Sequence, residues 1–311
     1  MPSELTLAAK VTVMTLKKAP NPTSLLLALC LLILPPPVAA LEPDTLVGEN
    51  FYQLIQPGDT LIELARHYGI GYGTLINANP TIDPWQPPAD SEILIPRAAI
   101  VPYQAQPGIT INLAEQRLYL IREGRQQTLT SVYPIGIGRE GRDTPLGNNR
   151  IVTMIANPSW TPPPSWRAEH PQLPAMIPPG PDNPLGDYWI GLSQKHIGLH
   201  GTNRPFGIGR QVSSGCIRLY PEHIQLLFER AHIGMAVTII DQPIKLGYKN
   251  GQLYLEAHPD PSDRVVAPIA EILRQRDLIA PQADLDWQQV RRILEDRTGV
   301  PQLVATSHNQ P

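Results

Sequence analysis

Cysteine is nearly absent: the 311 residues hold two, Cys30 and Cys216. That excludes a disulfide-stapled scaffold and a zinc site built on several thiolates. Charge is sparse and almost balanced, with 17% charged residues and a formal net charge of −3. Such a chain lacks the basic footprint of a nucleic-acid-binding protein. With 42% apolar residues it is not a charge-rich disordered chain either. The apolar run Leu25–Leu34 has ten residues, too few for the ~20 that span a bilayer. Proline is what the chain has in excess, 36 residues of 311, against a usual ~5%. A loop-rich, largely β structure is expected.

The first forty residues have the layout of a secretory signal. Lys17 and Lys18 form a positive region, Leu25–Leu34 the apolar stretch, and Val38-Ala39-Ala40 a small-residue cleavage site. Cys30 lies in the apolar stretch and reads as one more hydrophobic residue; bulky Leu29 before it argues against a lipidated cysteine. Cleavage after Ala40 leaves Cys216 as the one thiol of an exported chain. It has no internal disulfide partner, so its presence asks for another reason.

Residues 51–97 read as β-α-α-β. Phe51 to Ile55 is a strand, and Gly58-Asp59-Thr60 a turn and N-cap. Leu61, Leu64, Ala65 and Tyr68 follow at helical spacing up to Gly69. A second helix around Leu75 stops at Pro80, and Ile93-Leu94-Ile95 closes the unit. This segment resembles a LysM module, carried by Gly58-Asp59-Thr60-Leu61, Ala65, Tyr68, Leu75, Asn77, Asn79-Pro80 and Ile93-Leu94-Ile95-Pro96. The resemblance implies binding to the N-acetylglucosamine-containing glycan of peptidoglycan.

A Pro-containing linker, Ala98 to Pro107, separates this unit from a β-rich region, so that each is expected to fold alone. Strands are expected at 109–113, 117–121, 128–133, 188–192, 197–200 and 236–240, and a helix at 221–231. The proline-rich stretch 157–186 is too long for an idle loop and is expected to line or cover a cleft. Beyond it come a hairpin around Asn250-Gly251, a helix near 267–275 and another from Asp286 that Gly299 closes. Thr306 to Pro311 is expected to be a frayed tail.

The chemistry concentrates between His200 and Cys216. A histidine at a strand end is followed sixteen residues later by a cysteine, across a loop rich in glycine. An imidazole beside a thiol can take its proton and release a nucleophilic sulfur. On the pair alone, a buried inert cysteine explains the thiol equally well. A zinc reading of His196 and His200 is poorer. Ile197 stands where a zinc peptidase helix has Glu, and Gly198 weakens a helix.

The stretch His200-Gly201 through Ser213-Ser214-Gly215-Cys216-Ile217-Arg218 resembles the signature of the L,D-transpeptidase catalytic domain, the YkuD-type family. Pro134-Ile135-Gly136-Ile137-Gly138 and Thr144-Pro145-Leu146-Gly147 fit it as well. Asn157 to Pro163 and Pro179 to Gly186 resemble its Gram-negative periplasmic branch, which also carries a LysM module. The resemblance implies a mainly β fold with α: a β-sandwich-like catalytic domain preceded by the small β-α-α-β module. It divides the chain into a signal (1–40), a LysM module (51–97), a catalytic domain (108–241) and a C-terminal extension (242–311).

It also implies roles. Cys216 is the nucleophile, His200 its base, and the Gly201 carbonyl holds the second ring nitrogen of His200. Arg218 orients the substrate's polar end. Ser213, Ser214 and Gly215 fall at substrate-binding positions, and backbone N–H groups at Gly215 and Cys216 can serve as oxyanion donors. Ser214 departs from the pattern, standing where many members have a second histidine. The implied reaction is acyl transfer in the periplasm from a peptidoglycan tetrapeptide stem, with release of D-Ala. The acceptor amine belongs to an outer-membrane lipoprotein lysine or to another stem. No metal or cofactor is implied. An L,D-carboxypeptidase using water, an inactive glycan-binding protein and a general cysteine peptidase are the alternatives.

Overall fold

The computed structural model describes residues 44–124, 128–259 and 267–306. The expected signal segment and the residues after Thr306 lie outside these. No described helix is long and apolar enough to cross a membrane.

In the first unit, strand Phe51–Leu54 pairs antiparallel with Glu92–Ile95, with helices Leu61–Tyr68 and Tyr72–Ala78 between them. The first helix is fixed at both ends by local chemistry. Thr60 Oγ1 caps it, accepting from the Glu63 N–H and donating to the Glu63 carboxylate at 2.7 Å. Gly69 ends it in the left-handed region, φ 63°. Leu61, Leu64, Ala65 and Leu75 face the buried sides of Ile93 and Ile95. The buried Asn79 side chain donates to the Leu75 and Leu94 carbonyls and accepts from the Leu94 N–H, tying the second helix to the closing strand.

The second unit is one curled sheet. Its strands run Ile217–Arg218, Gly198–His200, Tyr188–Leu192, Gly147–Ala156, Ala236–Ile240, Gly108–Asn112, Arg117–Glu123 and Thr128–Pro134, from edge to edge. The edges meet: Gly136, just past the last strand, exchanges two 2.9 Å hydrogen bonds with Arg218 on the first. Ile109, Ile111, Leu118 and Leu120 from one half share a core with Ile151, Ile190, Leu199 and Ile217 from the other. Helix Pro221–Arg230 adds Ile224 and Leu227 to the same core.

The stretch 157–186 is held in place. It contains the short helix Pro164–Glu169 and a bridge from Trp160 to Ile177. Buried Asn183 donates to the Pro158 carbonyl at 2.7 Å.

In the C-terminal extension, Ile244–Lys249 and Gln252–Ala257 form the expected hairpin, with Asn250 and Gly251 both at positive φ. Helices Pro268–Ile279 and Trp287–Asp296 pack on it. Three expectations need correction here. Gln302–Thr306 is a third strand, and Thr306 pairs with Gln252 rather than opening a frayed tail. The last helix ends at Asp296 and is capped by Arg297, φ 45°, two residues before Gly299. The helix expected near 267–275 runs on to Ile279.

The segment 98–107 is no loose tether. Ala99–Ile100 pairs with Leu46–Val47, and both its residues are fully buried. It lies on a buried charged cluster. Lys245 Nζ donates to the Ile100 carbonyl (2.7 Å), Glu115 (2.7 Å) and the Tyr119 hydroxyl (3.1 Å), and faces Glu256 at 3.2 Å. Arg117 donates to Glu256 (2.7 Å) and Glu115 (3.1 Å). The Ile100 N–H donates to Glu256, and His258 Nε2 lies 2.7 Å from that carboxylate.

Candidate active site

Strand pairing brings the two halves of the motif side by side. Gly198–His200 runs parallel to Ile217–Arg218, with Leu199 opposite Ile217 and His200 opposite Arg218. Leu199 and Ile217 are both fully buried in the core. Side chains alternate along a strand, so His200 and Arg218 point to the other face. Cys216, one residue before Ile217, falls level with Gly198. Its half-buried, unpaired thiol donates to the His196 carbonyl at 3.4 Å.

The tautomer of His200 follows from its neighbour. Nδ1 lies 2.6 Å from the Gly201 carbonyl oxygen, which can only accept. Nδ1 therefore carries the hydrogen, and in the neutral ring Nε2 is left as a base. The ring is neutral at rest. Burial, then the Arg218 charge, pulls its pKa down to about 4, although the Gly201 and Leu185 carbonyls favour the protonated form. Burial also pushes the Cys216 thiol up, against a backbone hydrogen bond at Gly198 and the Arg218 charge. Thiol and imidazole thus rest uncharged, and a proton must move when sulfur attacks.

Trp189 is a member of this site that the sequence did not announce. It pairs with His200 across the sheet, and its indole stacks on the imidazole with centroids 5.9 Å apart at 24°. It also covers Gly198, where a Cβ would come within 2.5 Å of the indole ring. Nothing in the local sequence marks it; its place comes from its cross-strand register with His200.

The turn before Cys216 is built by its own side chains. Ser213 is buried; its hydroxyl donates to the Cys216 carbonyl and accepts from the Gly215 N–H at 3.2 Å. Gly215 has φ +103°, where a side chain is strained. Thr144 Oγ1 donates to the Gly215 carbonyl and accepts from the Gly138 N–H, both at 3.0 Å. Ser214 faces outward and accepts from the Trp166 indole N–H at 3.2 Å. The proline-rich stretch thereby reaches the motif, with Trp160 edge-on to Trp166.

Arg218 is mostly buried, and its Nε has no hydrogen-bond partner. Burial lowers its pKa; the Cys216 charge acts against this, and Arg204 and Arg139 add to it. The site is therefore electropositive around a neutral nucleophile and base. Glu115, Glu256 and His258 are the one group of possible metal ligands among the described residues. Lys245 and Arg117 already supply cations there.

Residues 106–239 match the L,D-transpeptidase catalytic domain family and residues 54–96 the LysM domain family. Three proteins of Escherichia coli strain K12 are similar over most of their length. The probable L,D-transpeptidase YcfS is 38% identical, over 82% of this chain and 84% of its own. The probable L,D-transpeptidase ErfK/SrfK is 36% identical, over 86% and 90%. The probable L,D-transpeptidase YbiS is 35% identical, over 84% and 89%. With relatives 35–38% identical over 82–86% of its length, this chain belongs to the L,D-transpeptidase family.

Proposed function

We propose that the protein transfers the acyl group of a peptidoglycan tetrapeptide stem through a thioester on Cys216. The observation that supports this is the register of two short strands: Arg218 stands opposite His200 and Cys216 level with Gly198, so that by strand alternation Cys216 and His200 share one face, with His200 Nδ1 committed to the Gly201 carbonyl. His200 Nε2 takes the thiol proton as sulfur attacks the carbonyl carbon of the third stem residue, a diaminopimelate. The Cys216 N–H is the donor available to the oxyanion, because the Gly215 N–H is used by Ser213. The C–N bond then breaks, His200 returns the proton to the leaving D-Ala amine, and the thioester remains. An acceptor amine attacks the thioester, gives a proton to His200, and the thiol is restored as the C–S bond breaks.

Arg218, with Arg204 and Arg139 near it, suits the carboxylates of the donor stem. The LysM module holds the glycan, and the signal segment places the reaction in the periplasm. The acceptor is the lysine of an outer-membrane lipoprotein or the side-chain amine of another stem.

Mass spectrometry of the protein mixed with a soluble tetrapeptide tests this. The expected result is D-Ala release and a protein adduct equal to the stem minus D-Ala, both absent in Cys216→Ala. An added amine should move the acyl group from protein to amine. D-Ala release by Cys216→Ala would refute the mechanism, and release as free tripeptide at any amine concentration would make the protein a carboxypeptidase.

A further inference from the structure

The loop that joins His200 to Cys216 is gripped from both sides. On one side Gly209 donates to the Ile135 carbonyl and Arg210 accepts from the Ile137 N–H, at 3.0 and 3.1 Å. On the other lies the LysM module. The Tyr72 N–H donates to the Ile208 carbonyl at 3.2 Å and the Gly73 N–H to the Gly209 carbonyl at 3.1 Å. Arg210 stands over the Tyr72 ring at 5.6 Å.

The approach is backbone to backbone. A Cβ on Gly209 would lie 2.3 Å from the Tyr72 nitrogen, and one on Gly73 would lie 2.9 Å from the Gly209 carbonyl oxygen. On Gly71 it would meet the Gly209 Cα at 3.1 Å. Gly71 has φ −74° and Gly73 is helical, conformations open to any residue. Glycine is a poor choice inside a helix. Close contact with the catalytic loop explains why glycine stands at both.

A second contact lies just beyond the motif. The Tyr220 hydroxyl donates to the Ile70 carbonyl at 3.0 Å, and Arg66 covers the Tyr220 ring. Both terminal nitrogens of Arg66 reach the Glu222 carboxylate, one at 3.0 Å. His223 sits against Gly69, 3.3 Å from where its Cβ would be. LysM residues 66–73 therefore hold both 208–210 and 220–223, and Cys216 lies on the stretch between.

We infer that the LysM module is a positioning element of the transpeptidase site: by clamping the chain on both sides of Cys216 it sets the thiol against His200, whether or not glycan is bound. This rests on the role of Cys216 proposed above. It follows that the module matters even for a substrate with no glycan.

The test uses full-length protein and variants Gly73→Val, Arg66→Glu, Glu222→Arg and the double exchange Arg66→Glu/Glu222→Arg. Three readouts are taken: kcat and KM on a soluble tetrapeptide, the pH profile of Cys216 alkylation by iodoacetamide, and pull-down on sacculi. A small displacement of reacting groups is costly. Gly73→Val and each single charge reversal should lower kcat about tenfold with KM within about twofold. The alkylation profile should shift and sacculus binding should hold. The double exchange should restore kcat and the profile.

Wild-type kcat and an unshifted profile in both Gly73→Val and Arg66→Glu would overturn the inference. So would a double exchange that melts like wild type yet stays slow. A wild-type protein that releases no D-Ala would instead overturn the reaction assignment, and the alkylation profiles would still decide the clamp.

Discussion

Lys245→Met should be among the most damaging single substitutions outside the active site. The Lys245 side chain is wholly buried, and its ammonium faces four oxygens within 3.2 Å. Two carboxylates, Glu115 and Glu256, are balanced there by two cations, Arg117 and Lys245. Methionine keeps the volume and removes one charge, so the loss is electrostatic rather than a cavity. Leaving a buried charge uncompensated costs roughly 3–5 kcal/mol. At roughly 2–4 °C per kcal/mol for a body of this size, the melting temperature at pH 7 should fall by about 6–20 °C.

The pH dependence has a sign. Burial raises the Glu256 pKa, but Lys245, the His258 hydrogen bond and Arg117 outweigh it and hold the carboxyl well below the usual range. In the wild type its contribution is present above the unfolded value of ~4.3 and fades as pH falls through the lower folded value. Without Lys245 the carboxyl takes a proton more readily, which replaces the missing charge. The deficit, measured by calorimetry, should therefore narrow as pH is taken from 7 toward 4. Lys245→Met/Glu256→Gln should recover part of the loss at pH 7. A drop under about 2 °C, or a double variant no better than the single one, would refute the charge-balance argument.

Arg218→Met should move the acid limb of kcat/KM upward, from near the His200 value of about 4 toward the ordinary imidazole range, because the Arg218 charge helps to depress that value. An acid limb that stays put in the variant's pH–rate profile would mean that burial alone sets it. Trp166→Phe removes the indole N–H donated to Ser214. At a net ~1 kcal/mol for one hydrogen bond, limited proteolysis within 157–186 should quicken about fivefold, and equal cleavage rates would show that this bond holds nothing.

Local chemistry was legible in the sequence wherever neighbours decide it. Thr60, Asn250-Gly251 and Asp286, which accepts from the Gln288 and Gln289 N–H groups, were readable as caps and a turn. His200 and Cys216 were readable because their spacing and surroundings resemble a known family. Strand Gly147–Ala156 was not, since Asn149 and Ile151 are its only buried residues and the apolar alternation is faint. Trp189, Trp166 and the glycines at 71, 73 and 209 owe their places to partners far along the chain. No pattern within a short window carries that information. The same holds for Ala98 to Pro107, whose prolines suggest a tether while the Ile100 backbone is bound by Lys245 and Glu256, 145 and 156 positions away.

The first described residues are sewn to the hairpin of the C-terminal extension. The Thr45 N–H donates to the Tyr248 carbonyl, Thr45 Oγ1 accepts from the Tyr248 N–H, and Asp44 accepts from the Asn250 N–H, across 203 and 206 residues. Such pairings cannot form until the hairpin exists, and the hairpin in turn lacks its third strand until Gln302–Thr306 has been made. Contacts of this range slow folding, because the chain must close large loops before they reward it. Synthesis from the N-terminus therefore leaves Asp44 and Thr45 without these partners until the hairpin emerges, although Leu46–Val47 meets Ala99–Ile100 much earlier. In the finished fold, the first described residues are thus held by the hairpin's backbone.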